Sequence, residues 1–299
     1  MENQFKLPDE QFAKGPSARR VSDLIEEIRA DIDFELDDAV TDIVRDLPEE
    51  YFQRMTHEQQ VGHLKGLIAS RICELNGELF LPSADGLQIA VLGRKSYRGQ
   101  LANILSELPG KQTRLVGANV YTAQSHGFIL DVFEFESDQK PAAVANFSGD
   151  VIEKLAQKTD SDPDQVGEFL SRIRTTSAKS PDVELLARFF HAYQKVSSAT
   201  PVVVDQGNDT DKLSNIVVAV HARNERLTFQ RTAESLSNIS LDIEQAELVV
   251  VRFEKAADEP ANSRSDKVIL MNFLVSGSNV GTHEVDAWID SLTSIVSED

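Results

Sequence analysis

The same order of predicted elements occurs twice along this chain of 299 residues. In each copy a helical segment precedes two short apolar runs, an amphipathic segment and two longer apolar runs. This pattern predicts helix, strand, strand, helix, strand, strand. Ile89 of the first copy corresponds to Ile216 of the second, and Glu78–Leu81 corresponds to Val202–Asp205. The repeat therefore favours an α+β fold made of two modest domains, each with its own core.

Changes in the hydrophobic period set the expected domain boundaries. Residues 1–16 are polar and contain Pro8, Gly15 and Pro16, which is typical of a flexible N-terminal tail. After the tail we expect a helical segment, a first α+β domain, a second helical segment and a second α+β domain, at residues 17–76, 77–149, 150–197 and 198–299.

Individual elements follow from local periodicity and from turn residues. Helices are predicted over Thr56–Ile72, Tyr97–Leu108 and Pro163–Arg174, and a strand is predicted over Arg114–Thr122. Thr56 has the side chain of a helix N-cap, and Pro109 follows the helix that begins near Tyr97. These elements place most of the polar residues discussed below at helix starts and within strands.

Several predicted strands are apolar on both faces. Val249–Phe253 reads VVVRF and Val268–Val275 reads VILMNFLV, without the alternation expected of an antiparallel strand that has one face in water. Helices of so small a module are expected to cover one face. The other face should then meet the sister module, another subunit or an absent domain.

Charge and composition narrow the classes of partner. The formal net charge is −19, which disfavours nucleic acid and anionic membranes as partners. The single cysteine, Cys73, cannot form a disulfide within the chain and fits a reducing compartment. The N-terminus lacks the apolar core of a signal peptide, and no run of apolar residues is long enough to span a bilayer. A cytoplasmic location is expected.

A basic, glycine-containing loop precedes the helix of the first module. Gly99 either opens the helix N-terminus to a ligand carboxylate or permits a tight turn from strand to helix. Arg94, Lys95 and Arg98 cluster beside it, and they either recruit an anion or neutralise acidic neighbours. Both alternatives stay open at the level of sequence.

Other chemistry-bearing residues are sparse. Asp131 lies within an apolar strand, where a carboxylate needs either a ligand amine or an arginine across the sheet. His57 and His63 are six residues apart, which is not the spacing of a zinc-binding helix, so no metal is expected. No phosphate-binding or dinucleotide-binding glycine motif occurs, and no nucleophile, base and orienting group converge. We therefore expect no catalytic residue and no cofactor.

Several short segments resemble a known family of regulatory domains. Ser96–Ala102 reads SYRGQLA, Val116–Thr122 reads VGANVYT and Gly127–Phe133 reads GFILDVF. These segments resemble the ACT domain, which senses small molecules, and are similar to the ACT modules of nitrogen-regulatory uridylyltransferases. They are also similar to the N-terminal region of the large NAD-specific glutamate dehydrogenases. Two further segments of this chain, Leu47–Phe52 and Arg188–Tyr193, resemble helical parts of that same region.

The resemblance implies a fold, a function and a set of ligand-binding residues. Each copy would be an ACT-like, ferredoxin-like βαββαβ module, and the chain would be a non-catalytic regulatory module. Its ligand would be an amino acid or other small carboxylate. The residues implied for the ligand site are Arg94, Ser96, Tyr97, Arg98, Gly99, Gln100, Asn119 and Asp131.

This chain departs from the family pattern at several positions. ACT ligand loops often hold Asp or Asn, with Pro before the glycine, where this chain has Ser96 and Arg98. The second loop, Arg223–Leu227, has no glycine, so a ligand is expected in the first copy. The catalytic motifs of a dehydrogenase are absent. Expected partners are therefore a homo-oligomer or a separate catalytic chain, and the alternative is a purely structural interaction module without a ligand.

Overall fold

One antiparallel sheet of ten strands runs through the described part of the chain. The computed structural model describes residues 44, 46–72, 77–84, 86–93, 97–108, 113–122, 128–175, 182–197, 199–207, 213–253, 267–277 and 282–297. Helices flank the sheet on both sides, which confirms the predicted α+β class. Most of the helix expected near the N-terminus lies outside the described residues, as do Arg94, Lys95, Ser96 and Cys73.

The elements are named in chain order. The strands are β1 (Glu78–Pro82), β2 (Gln88–Gly93), β3 (Arg114–Thr122), β4 (Ile129–Glu136), β5 (Ala143–Val144), β6 (Ile173–Thr175), β7 (Val202–Gln206), β8 (Leu213–Ala222), β9 (Asp242–Arg252) and β10 (Lys267–Ser276). The helices are α1 (Glu49–Arg54), α2 (His57–Ile72), α3 (Gln100–Glu107), α4 (Gly149–Thr159), α5 (Pro163–Ser171), α6 (Val183–Lys195), α7 (Glu225–Asn238) and α8 (Thr282–Ser297).

The strand order repeats between the two halves of the sheet. The first half has the order β1-β2-β4-β3 and the second has the order β7-β8-β10-β9. Antiparallel pairing of β3 with β9 joins the halves, with Gly117 opposite Val249 and Tyr121 opposite Gln245. The two halves are thus related by an approximate two-fold axis between these strands, which we call the β3–β9 junction.

Helices of the chain itself cover both faces of the sheet. On one face α3, α7 and α8 pack over a core that includes Phe133, Phe229 and Phe273. On the other face α1 and α2 cover the first half, and α4, α5 and α6 cover the second half. Helices were expected to cover one face of each module and to leave the other face to the sister module, another subunit or an absent domain. That expectation is wrong for the described sheet, because α1, α2, α4, α5 and α6 bury the second face.

Local contacts explain where several helices begin and end. Thr56 and Gln59 form a capping box at the start of α2, with Gln59 N donating to Thr56 Oγ1 over 3.3 Å and Thr56 N donating to Gln59 Oε1 over 2.8 Å. The helix predicted over Pro163–Arg174 ends at Ser171, because the following strand β6 pairs with β9 and buries Ile173. Pairing with the sheet outweighs helical periodicity there.

A helix that crosses a bilayer needs about 20 consecutive, mostly apolar residues. None of the helices within the described residues is both long enough and apolar enough to cross a membrane.

Candidate functional site

A cavity of about 360 Å³ lies between the two halves of the sheet, at the start of α3. The first half contributes Tyr97, Arg98, Gly99, Gln100 and Asp131 to its lining, and the second half contributes Ser237, Asp242 and Glu244. We call this cavity the α3 cleft. Five of the eight predicted ligand-binding residues therefore lie together, on the face of the sheet that α3 and α7 cover.

Gly99 shapes the entrance of the cleft through its backbone. It is the N-cap of α3 and has φ +81° and ψ 1°, in the left-handed region that glycine adopts most readily. A Cβ at this position would meet only Ser237 Oγ, at 3.9 Å, so space does not demand glycine here. The left-handed conformation of the turn favours glycine instead, as in the alternative that Gly99 permits a tight turn from strand to helix. The cleft nonetheless lies open beside this turn.

Gln100 anchors the start of α3 to the outer strand. Its Nε2 donates to Glu78 Oε1 over 2.9 Å, and its Oε1 accepts a hydrogen bond from Tyr97 N over 3.3 Å. Gln100 is buried, so these bonds hold the loop and the first helical turn in one arrangement. The exposed Tyr97 then stands at the mouth of the cleft.

Arg98 links the two halves across the mouth of the cleft. Its guanidinium donates two hydrogen bonds to the Asp242 carboxylate, over 2.9 Å from Nε and 3.0 Å from Nη2. Both side chains are about half exposed. An exposed pair of this kind contributes about 0 to 1 kcal/mol to stability, so its main effect is to orient the two loops.

Asp131 is the most unusual side chain in the cleft. It is 2% exposed, lies in β4 opposite Val91 of β2 and Val120 of β3, and lines the cavity. Its Oδ1 has no hydrogen-bond partner among the described residues. Burial raises the pKa of the Asp131 carboxyl well above its usual range, although the backbone of Tyr121 opposes the shift. No arginine within the described residues forms an ion pair with Asp131. Of the two partners expected from the sequence, the arginine across the sheet is therefore not found among these residues.

Asn119 lies away from the five predicted ligand residues that line the α3 cleft, on the opposite face of the β3–β9 junction. It lines a second cavity of about 240 Å³, in which Arg54 donates to Asn119 Oδ1 over 2.6 Å and to Glu247 Oε2 over 2.7 Å. Burial disfavours the charged guanidinium, but the Glu247 carboxylate outweighs this and raises the pKa of Arg54. Asn119 therefore belongs to a structural ion-pair network rather than to the α3 cleft.

The approximate two-fold axis places a counterpart of the α3 cleft at the start of α7. In this second position, charged side chains of the protein itself fill the space. There Lys267 Nζ forms an ion pair with Glu225, and Arg252 forms one with Glu136, to which Arg114 Nε also donates over 2.8 Å. We call these five residues the α7 ion cluster. Glu225, the first residue of α7, corresponds to Gln100, the first residue of α3.

Strand register identifies the counterpart of Asp131. Val91 pairs with Asp131, whereas Val218, its counterpart in the second half, pairs with Met271. Met271 is fully buried in the core beneath α7. The second half thus has a core methionine where the first half has a buried carboxyl group with no cationic partner among the described residues.

The part of the cleft contributed by the second half was not predicted. Asp242, Glu244 and Ser237 are distant in sequence from Gly99, and only the β3–β9 junction brings them to it. The duplication was the available signal, because two similar modules often associate through equivalent edges. The sequence did not say which edges.

The described residues contain no group of histidine, cysteine, aspartate and glutamate side chains arranged to hold a metal ion. Comparison of the chain with family models, with curated proteins and with solved structures finds no match in any of the three. The function must therefore be inferred from the chemistry of the cleft.

Proposed function

We propose that this chain is a non-catalytic, cytoplasmic regulatory module that binds an amino acid or similar small molecule in the α3 cleft. The single observation that carries the proposal is Asp131, a buried carboxylate that lines a cavity and has an oxygen without a partner among the described residues. A ligand amine would supply the missing partner. The cavity volume, about 360 Å³, lies in the range of about 300 to 1,000 Å³ typical of small-molecule sites.

We propose further that each half is an ACT-like module with a ferredoxin-like arrangement. The order β1-β2-β4-β3, with α3 connecting β2 to β3, supports this, and the same order recurs around α7. The outermost strand of each half precedes the other three in the chain rather than following them. The helix α2 also packs on the face opposite α3, which distinguishes the arrangement from a sheet with both helices on one face.

The position of the cleft supports a regulatory role. A ligand there would contact the start of α3, strands β3 and β4, and the first residues of β9 in the other half. It would therefore favour one placement of the halves over others, and such differential affinity is what shifts a conformational equilibrium. We propose that a catalytic chain of the glutamate dehydrogenase type, or a second copy of this chain, receives the signal.

The test is a thermal-shift screen with the twenty amino acids. A ligand that binds the folded state alone raises its stability by mass action, so at least one amino acid should raise the melting temperature. Gly99→Val should abolish the shift, whereas Leu227→Val, at the start of α7, should preserve it. If no amino acid raises the melting temperature, or if Leu227→Val abolishes binding and Gly99→Val does not, the proposal is wrong.

The alternative function is a purely structural interaction module. It predicts that no small molecule stabilises the chain and that light scattering shows an assembly instead. Coverage of both sheet faces by the chain's own helices removes the observation that favoured it from sequence, so the ligand-binding function has the stronger support.

A further inference from the structure

Negative charge exceeds positive charge among the described side chains that line the α3 cleft. Asp131, Asp242 and Glu244 are acidic, and Arg98 is basic. Arg98 is committed to Asp242 by two hydrogen bonds. Glu244 accepts a hydrogen bond from Ser276 Oγ over 2.5 Å, and neither Glu244 nor Asp131 has a cationic partner within the described residues. Two carboxyl groups of the cleft, those of Asp131 and Glu244, thus have no cation to balance them among the described residues.

The α7 ion cluster shows how the related position in the second half balances its acidic residues. Lys267, which is almost fully buried, places its ammonium group on the carboxylate of Glu225, the first residue of α7. Arg252 and Arg114 neutralise Glu136 beside it. In the second half, cations of the chain itself therefore occupy the space between the helix start and the strands. The same architecture accommodates an alkyl ammonium group there.

We propose that the α3 cleft is selective for a ligand that carries a primary ammonium group on an alkyl chain, either a basic amino acid or an alkyl diamine. This inference rests on the proposed function and specifies the ligand class for the same site. One ammonium pairs with Asp131 in the interior of the cleft, and a second positive group lies toward Glu244 and Asp242 of the second half. The ligand thereby takes the place that Lys267 takes in the α7 ion cluster.

The second positive group provides the selectivity. A ligand without it would cover the cleft and leave Glu244 without a cationic partner among the described residues, so that carboxylate would lose water without gaining an ion pair. A ligand with an additional carboxylate would add a like charge beside three acidic side chains. A neutral amino acid can pair its α-ammonium with Asp131 but incurs the first penalty, and an acidic amino acid incurs both, whatever its size.

Four probes separate these cases by isothermal titration calorimetry on the full chain. Lysine has the ammonium and the amino-acid group, norleucine has the same chain without the side-chain ammonium, 1,5-diaminopentane has two amines without a carboxylate, and glutamate has the opposite side-chain charge. We expect lysine or 1,5-diaminopentane to bind about tenfold or more tightly than norleucine and glutamate, the factor expected for one charge-assisted hydrogen bond. Binding of lysine alone identifies a basic amino acid, and binding of the diamine identifies the alkyl diamine class; either result supports the inference.

Variants test whether Asp131 and Glu244 cause the preference. Asp131→Asn keeps the shape of the side chain and should weaken the preferred probe by about 10-fold to 100-fold. Glu244→Gln should weaken it less, and Glu168→Gln, on α5 at the opposite face, is the matched control and should change nothing. Circular dichroism verifies that each variant is folded.

The outcomes distinguish this inference from the proposed function. If norleucine, glutamate or another amino acid without a side-chain cation binds as tightly as lysine, with loss on Gly99→Val, the cationic selectivity is wrong and the regulatory site stands. Equal binding by Asp131→Asn and the parent chain also overturns the selectivity. If no probe and no amino acid binds, both proposals are wrong.

Discussion

Burial of Asp131 should make stability fall as pH rises, the reverse of the usual behaviour of an aspartate. Its pKa in the folded chain is raised above the ordinary 3.8, so the folded state keeps the proton at pH values where the unfolded chain has lost it. Unfolding then releases a proton, and stability declines from about pH 4 up to the raised pKa. Glu78 of β1 adds to this shift, and Asp242, Glu244 and Arg98 are the other charged groups that line the cleft among the described residues.

The Asp131→Asn variant tests this linkage. We expect it to gain stability relative to the parent chain between pH 4 and pH 8, by about 1.4 kcal/mol for each unit by which the folded pKa is raised within that range. Urea denaturation at the two pH values measures the difference. A constant difference between variant and parent at both pH values would show that the carboxyl is not buried as described.

Burial of His63 has the opposite effect on the pH dependence of stability, because it makes the chain less stable as pH falls. His63 lies on the buried face of α2, its Nδ1 lies 3.3 Å from the Tyr51 hydroxyl, and burial lowers its pKa from 6.5 to about 4. The folded state therefore resists protonation that the unfolded chain accepts, and stability is lost as pH falls from 6.5 toward 4. We expect His63→Gln to lose about 1 to 2 kcal/mol less than the parent chain between pH 7 and pH 5, as measured by urea denaturation. Parallel curves would contradict the expectation.

At the scale of elements, the start of α3 depends on the backbone of one residue. Gly99 has φ +81°, and a residue with a Cβ costs about 1 to 2 kcal/mol in that conformation. We expect Gly99→Ala to destabilise the chain by that amount and Gly99→Asn to cost less, because asparagine adopts the left-handed region more readily. Since a Cβ meets only Ser237 Oγ, at 3.9 Å, the loss reflects backbone conformation rather than crowding. Equal losses for both variants would point to lost space instead.

Periodicity predicted elements well where packing agrees with local preference. Strand β3 has the predicted bounds, Arg114–Thr122, and α2 begins after Thr56 as its cap predicts. The helix expected from Tyr97 begins at Gln100, because Gly99 in the left-handed conformation cannot continue it. Helix α5 ends early because β6 pairs with β9, a contact between residues far apart in the chain.

The sequence predicts those cleft residues that local patterns reveal and misses those that long-range strand pairing brings in. Arg98, Gly99 and Gln100 are neighbours in the chain, and Asp131 was conspicuous as a charge within an apolar strand. The resemblance groups Asn119 with the residues of the cleft, but adjacent residues of a strand point to opposite faces, and Val120, not Asn119, lines the α3 cleft. Asp242 and Glu244 enter through strand pairing between the halves, for which no local pattern exists.

The continuous sheet should make the whole molecule unfold as one unit. Strands β3 and β9 pair across the halves, and α3 packs against α7 on the same face, so neither half keeps its core when the other unfolds. Trp288, the single tryptophan, lies in α8 and donates to Ser235 of α7, which makes its fluorescence a probe of the second half. We expect its urea transition to coincide with that of far-ultraviolet circular dichroism. Two separate transitions would show that the halves fold independently.

The proposed absence of catalysis is testable on the same full chain. The pyrophosphate of a nicotinamide nucleotide usually rests at a glycine-rich turn between a strand and a helix of a parallel sheet, whereas every strand pair in the described sheet is antiparallel. We expect no NADH from glutamate and NAD, measured by absorbance against a blank, and no nucleotide binding in the micromolar range by calorimetry. Turnover by this chain alone would overturn the regulatory assignment.

The inequality between the two helix starts has a consequence for dose response. Two equivalent helix starts would offer two ligand sites in each chain, and binding at one site could then change the affinity of the other. Here Lys267 and its neighbours fill one of them, so under the proposed function the described part of each chain offers one ligand site, the α3 cleft. Saturation of an isolated chain should then follow a simple hyperbola with a Hill coefficient of about 1, since several sites are needed for a steeper curve. If the proposed function is right, a threshold in the response then requires several chains acting together.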